Sequence, residues 1–281
     1  MEAKLLDMTQ WVKSGEGSQG DSFYNVNDST LMVKLYNSAV DMDIIKGEIE
    51  TGKTVYNYGL PTPKPGEYVT DGKRFGVEFQ RILNKKSFAR ACGDDPSCLE
   101  DLAARLSVLA KKLHATDADT TIFSDQKKMY RDWLGACQLL SSSEKDNYLD
   151  FLEDIPDVQK CVHGDFHFGN VITDGKNDYL IDLGYFGYGA PEFDLSMLYF
   201  VTHFLPDGMF SHIYHMEPSD GPRFWNSFAE SYYGFKPAKK DVERHLAPYM
   251  LLRTVCFEKE RGDSDPCIPI FRKTFLDILQ G

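Results

Sequence analysis

The stretch HGDFHFGNVITDGKNDYLIDLG, residues 163–184, constrains this chain more than any other. His163-Gly164-Asp165 opens a loop, and Asn170 falls five residues after Asp165. A short hairpin follows, with Asn177-Asp178 near its turn. The apolar strand Tyr179-Leu180-Ile181 then runs into Asp182-Leu183-Gly184. The order delivers a carboxylate, an amide oxygen and a second carboxylate from two adjacent loop ends.

Those three groups suit Mg²⁺-dependent phosphoryl transfer. One carboxylate orients the attacking hydroxyl, and the other two groups are hard oxygen ligands for an ion bridging phosphates. Asp165 fits the first role, and Asn170 and Asp182 the second.

The rest of the chain is read around this stretch. Ser22 to Val26 and Leu31 to Tyr36 flank the turn signal Asn27-Asp28-Ser29-Thr30. A helix is expected from Asp41 to Tyr58, stopped by Gly59 and Pro61. Gly66 to Thr70 and Arg74 to Ile82 flank Asp71-Gly72, a second hairpin signal. That gives four strands and one helix. Beyond Ser97, Leu99, Leu102, Leu106, Leu109 and Leu113 recur at helical spacing. Further helices are expected at 125–140, 143–153, 192–205, 221–233 and 239–261. The division is a small N-terminal lobe, 1–82, and a larger helical one, 83–281, within an α+β fold.

Composition mainly excludes. The 281 residues carry 31 Lys and Arg against 43 Asp and Glu, a net charge of −12, which argues against nucleic acid or an anionic membrane as partner. No run approaches the length of a membrane helix, and the N-terminus has no apolar leader. The six cysteines form no C-x-x-C pair and are read as reduced thiols of a cytoplasmic protein.

HGDFHFGN, then IDLG, then Asp194-Leu195-Ser196 resembles the catalytic and metal loops of the aminoglycoside phosphotransferase and choline kinase family. The resemblance implies a bilobal protein-kinase-like fold and a small-molecule kinase that uses Mg²⁺ with ATP or GTP. It implies Asp165 as the catalytic aspartate and Asn170 and Asp182 as metal ligands. It further implies that Lys34, in the strand Leu31-Met32-Val33-Lys34-Leu35, grips the nucleotide phosphates. A helix glutamate should pair with it, Glu48 by spacing, with Glu50 the alternative. The backbone of Glu78 to Ile82 would meet the adenine edge. His114 and Asp194 are expected to be structural, Asp194 by bracing the catalytic loop, and His167 to pack or orient that loop. Acceptor contacts are expected from the segment 205–222, with Glu217 and Asp220 as candidates, and from the helices of 224–260.

Gly15, Gly17 and Gly20 make a G-x-G-x-x-G. A dinucleotide site would need a helix after it, whereas strand and hairpin follow here. It is therefore read as a flexible lid over the triphosphate, with Ser18 and the amides from Gly17 to Gly20 touching phosphate. A protein kinase is disfavoured, because only five residues separate Gly184 from Ala190-Pro191-Glu192, leaving no peptide platform. A catalytically silent nucleotide-binding regulator is disfavoured because every expected polar part is present. His203, His212 and His215 are read as ordinary imidazoles rather than a zinc site. The acceptor is a small hydroxylated molecule, and the acidic charge leans toward a cationic one.

Overall fold

The computed structural model describes every residue except 1, 18, 19, 139, 263, 264 and 281, and only the backbone of 16 and 17. The strands and helices of the first half are β1 (Lys4–Leu5), β2 (Trp11–Gly17), β3 (Gly20–Asn25), β4 (Leu31–Tyr36), α1 (Met42–Asn57), β5 (Pro65–Thr70), β6 (Phe75–Gln80), β7 (Lys86–Ser87), α2 (Phe88–Asp94) and α3 (Leu99–Ala115). Next come β8 (Ser124–Asp125), α4 (Gln126–Ala136), α5 (Ser142–Asp154), β9 (Cys161–Val162), β10 (Val171–Thr173), β11 (Asp178–Leu180) and β12 (Gly187–Tyr188). The chain finishes with α6 (Glu192–His203), α7 (Asp207–Tyr214), α8 (Asp220–Tyr233), α9 (Lys239–Arg261) and α10 (Cys267–Gln280). The fold is mixed α+β, with a sheet-rich N-terminal region and a helical C-terminal part. Its two compact units are residues 1–87 with 171–184, and residues 88–170 with 185–281.

The first unit is built on a six-stranded sheet ordered β1-β5-β6-β4-β3-β2. Strand β4 sets its logic through the alternation of LMVKLY. Val33 and Leu35 are fully buried with Trp11, Phe23 and Val69 on one face. Tyr36, two residues on from Lys34, packs with Ile45 and Ile49 of α1 on the other. Asp41 caps α1 by accepting from the Asp43 amide at 2.8 Å. The β3–β4 turn is closed by Asn25 Oδ1, which accepts from the amides of Asn27 and Asp28 at 2.8 and 2.9 Å.

Gly15 and Gly17 of the expected lid lie in a strand, and its Ser18 lies outside the described residues. Trp11–Gly17 is a strand paired with β3 from Trp11↔Asn25 to Gly17↔Gly20, with an irregularity between Lys13 and Gly15. It holds because Trp11 is buried in the sheet core, anchoring an edge strand that its glycines would otherwise weaken. Gly20 has a packing reason to lack a side chain, since a Cβ there would sit 2.2 Å from the Leu35 carbonyl oxygen. The sheet therefore has six strands rather than four.

The second unit is helical. The leucine stripe of α3 is buried as its spacing predicts. Helix α6 is buried from Phe193 to Thr202, so it lies inside the unit. Ser141 and Glu144 form a capping box at the start of α5. Helix α9 runs 23 residues through Pro248 and buries nearly every side chain from Leu246 to Glu258. Helices α2, α7 and α10 were not foreseen. None of the six cysteines is bonded to another.

Candidate active site

In the first unit, Lys34 Nζ meets Glu48 Oε1 at 3.2 Å, joining β4 to α1. Glu48 shares the inward stripe of α1 with Ile45, Ile49 and Gly52, whereas Glu50 is exposed. Strand alternation turns Lys34 toward α1, where a cation needs an anionic partner. The ammonium also lies 4.5 Å from the centre of the Tyr36 ring. Burial pushes the Tyr36 phenol well above its ordinary range, and the Glu48 and Asp182 carboxylates push the same way. Asp182 thus bears on the same group as the Lys34–Glu48 pair. It follows β11, whose Leu180 amide donates to the Pro61 carbonyl at 2.7 Å, and it holds a left-handed φ of 61°. Its carboxylate is exposed. A left-handed aspartate costs on the order of 1 kcal/mol or more, a strain typical of functional loops.

The other expected nucleotide contacts are less uniform. Gly15 and Gly17 lie in β2, Gly20 opens β3, and Ser18 lies outside the described residues. Of the strand end at 78–82, the Gln80 and Arg81 amides are already committed, to the carbonyls of Lys64 at 2.8 Å and Thr30 at 2.7 Å.

In the second unit, the loop after β9 carries Asp165. Its Oδ1 accepts from Arg253 Nη2 at 2.7 Å, and its Oδ2 accepts from Asn170 Nδ2 at 3.0 Å. Burial pushes the Asp165 carboxyl up, but the charge of Arg253 and the Asn170 bond help hold it below the ordinary carboxylate range. The side chain is still 21% exposed, so the ionised carboxylate is not sealed from another molecule. Asn170 Nδ2 also donates to the Asp165 carbonyl at 2.9 Å. Both amide hydrogens are thereby spent on Asp165, which frees Oδ1 as a hard acceptor. Asn170 Oδ1 and, in the first unit, the Asp182 carboxylate are each an oxygen donor of the type Mg²⁺ takes.

The loop backbone is held from beneath. Asp194, fully buried in the first turn of α6, accepts from the His163 and Gly164 amides, each at 2.8 Å. His114 Nε2 lies 3.1 Å from the same carboxylate, and His114 Nδ1 lies 2.8 Å from the Tyr232 hydroxyl. A buried carboxylate with three such partners at a helix N-terminus is well satisfied. His167 Nδ1 accepts from the Gly169 amide at 3.0 Å, which places the proton on Nε2, 3.8 Å from Asp165 Oδ2. The His167 ring edge meets Tyr214 of α7.

Within the expected acceptor segment, Tyr214 and Met216 are buried. Asp220 is buried as well and accepts from Arg223 at 2.8 Å, while Glu217 is exposed. Tyr214 and Phe210 of this segment reach the loop, each ring meeting that of Phe168. Arg253 was missed altogether. Its one signal in the sequence is a lone cation inside the apolar run YMLLRTVCF, residues 249–257. Among the described residues, no helix is long and apolar enough to cross a membrane.

The phosphotransferase enzyme family model, APH, matches residues 14–224. No curated protein matches the chain in sequence. Among solved structures, a choline/ethanolamine kinase family protein from Mesorhizobium loti is 13% identical, with TM-score 0.60, covering 96% of this chain and 86% of its own. An aminoglycoside-3'-phosphotransferase of type VIII is 22% identical, with TM-score 0.59, covering 86% of this chain and 92% of its own. Aminoglycoside phosphotransferase APH(3'')-Id from Streptomyces rimosus, in complex with ADP and streptomycin, is 16% identical, with TM-score 0.56, covering 87% and 99%. These likenesses are of fold. The family match spans most of the chain and includes Lys34, Glu48, Asp165, Asn170, Asp182 and Asp194. The chain belongs to the phosphotransferase enzyme family and has the protein-kinase-like fold of the aminoglycoside and choline kinases.

Proposed function

We propose that this protein transfers the γ-phosphate of ATP or GTP to a hydroxyl of a small molecule. The observation that carries the reading is Asp165, an ionised, partly open carboxylate fixed by Arg253 and Asn170. Residues 1–82 supply the nucleotide-binding groups and residues 83–281 the catalytic loop and the acceptor contacts. Lys34, steadied by Glu48, takes the α- and β-phosphates, and the backbone around Gly15, Gly17 and Gly20 covers the triphosphate, with Ser18 as a further contact. Asn170 and Asp182 would hold Mg²⁺, which supplies charge neutralisation on the phosphates. Asp165 accepts the acceptor hydroxyl and aligns the oxygen with phosphorus. Since the transition state is loose, positioning and electrostatics supply most of the rate.

A kinase relative bound to ADP and streptomycin supports a nucleotide co-substrate and a small polar acceptor. The net charge of −12 favours a cationic acceptor. Six thiols outside any disulfide and the need for nucleotide triphosphate suit the cytoplasm. The test is nucleotide consumption with Mg²⁺ against amino alcohols, aminoglycosides, sugars and fructosamines. Turnover with some acceptor, lost in Asp165→Ala, is expected. Tight nucleotide binding without turnover on any acceptor would favour a silent regulator, and undiminished turnover in Asp165→Ala would remove the assigned role.

A further inference from the structure

Arg253 sits in the middle of α9, and its side chain is only 4% exposed. Burying a guanidinium is costly unless its donors are used. Two of them are, and both go to the catalytic loop. Nη1 donates to the Gly164 carbonyl and Nη2 to Asp165 Oδ1, each at 2.7 Å. The buried Nε has no hydrogen-bond partner among the described residues. The rings of Tyr185 and Phe257 each lie 5.6 Å from the guanidinium carbon. A residue selected for helix packing would not leave a donor unmet there, because an apolar side chain fills the same space more favourably.

The loop geometry explains what the arginine gains. Gly164 has φ +77°, and a Cβ there would lie 2.2 Å from the Tyr185 carbonyl oxygen, so only glycine fits. In that conformation its carbonyl meets α9, while its amide and that of His163 meet Asp194. Asp194 therefore holds the amides of the loop, and Arg253 holds the next carbonyl and one oxygen of the catalytic carboxylate. Asn170 takes the other oxygen.

We infer that Arg253 is a positioning residue for the transfer reaction, its planar fork locking the Gly164 carbonyl and Asp165 Oδ1 together so that the Asp165 carboxylate is fixed in direction. The inference rests on the proposed phosphotransfer. A lysine could supply the charge but not two parallel donors, so charge and fork are separable by substitution.

The test uses Arg253→Met and Arg253→Lys in the full chain. Arg253→Met should lower kcat on the order of 10²-fold, the cost of a misdirected catalytic group, with both KM values within about two-fold. Arg253→Lys should fold like the wild type and recover only part of that loss, on the order of ten-fold. In an Asp165→Asn background, adding Arg253→Met should change the residual rate by less than about two-fold, because the arginine acts through the carboxylate. Crystal structures of both variants should show Asp165 in a new rotamer in Arg253→Met. A kcat within two-fold of wild type in both variants overturns the inference, as does an unmoved Asp165 in the Arg253→Met structure. A wild type without turnover would sink the phosphotransfer reading instead, and the Asp165 rotamer would still decide whether Arg253 directs it.

Discussion

Two ion pairs, one in each compact unit, are built with opposite polarity. Lys34–Glu48 joins a strand to a helix at 3.2 Å, and the cation is the more open partner, 24% exposed against 13%. Arg253–Asp165 joins a helix to a loop at 2.7 Å, and the anion is the more open partner, 21% against 4%. In each pair the buried member holds and the open member is presented. An open ammonium suits phosphate oxygens, and an open carboxylate suits a hydroxyl proton. On the proposed function, the difference teaches that a pair's exposure asymmetry, rather than its existence, marks which member would meet substrate. Lys34 presents a flexible point charge, whereas Arg253 is a rigid fork that fixes its partner.

The comparison can be broken by substituting the open members. Asp165→Asn keeps the shape and removes the charge, and it should lower kcat about 10³-fold with KM little changed. Initial rates of nucleotide consumption read this directly. Lys34→Met should lower kcat/KM for nucleotide on the order of 10²-fold, mainly through nucleotide KM, as measured by varying nucleotide at saturating acceptor. If Lys34→Met changed kcat alone, the presented ammonium would be acting in the transition state only. If it cost more than Asp165→Asn, the assignment of the two open members would have to be revised. Asp194→Ala probes the loop from its other side. It leaves two backbone amides and His114 without their acceptor and should cost about 2–4 kcal/mol of stability in urea unfolding.

The two pairs were unequally legible in the sequence. Asp165, Asn170 and Asp182 stand in one ordered stretch, and Lys34 stands on a strand whose alternation forces it inward. Glu48 follows from helical periodicity, since it shares a stripe with Ile45 and Ile49 while Glu50 does not. Arg253 lies 88 residues from Asp165, and only the tertiary path of α9 brings them together. No local rule encodes that approach, though a charge inside an apolar helix should have prompted a search for its anion. The glycine stretch was read as a loop, but pairing with β3 and the burial of Trp11 make residues 11–17 a strand. Helix α2 was overlooked because its seven residues are too few to show a period. The leucine stripe of α3 was plain because it repeats over four turns.

A smaller effect sharpens the contrast by using a titratable group with no opposite charge to hold it. Helix α6 carries both kinds, with Asp194 satisfied at its start and His203 in its last turn. A helix C-terminus ordinarily favours a charged imidazole. Here burial wins, pushing His203 down to about 4 despite the carbonyl of Tyr199 pulling the other way, and the charge of Lys239 adds to the drop. The ring stacks on Tyr199 at 4.1 Å, a neutral arrangement. In the unfolded chain the group titrates near its ordinary value of 6.5, so it binds a proton there before it does in the folded state. Stability from His203 is therefore complete above pH 6.5 and is lost as pH falls toward 4. Allowing for the partial exposure of the ring, the loss is on the order of 2 kcal/mol. His203→Gln should flatten the urea midpoint between pH 7 and pH 4 by about that amount while leaving turnover at neutral pH unchanged. A variant whose acid limb matches the wild type would show that the imidazole is already charged in the folded protein, and the distinction between held and unheld groups would then not extend to α6.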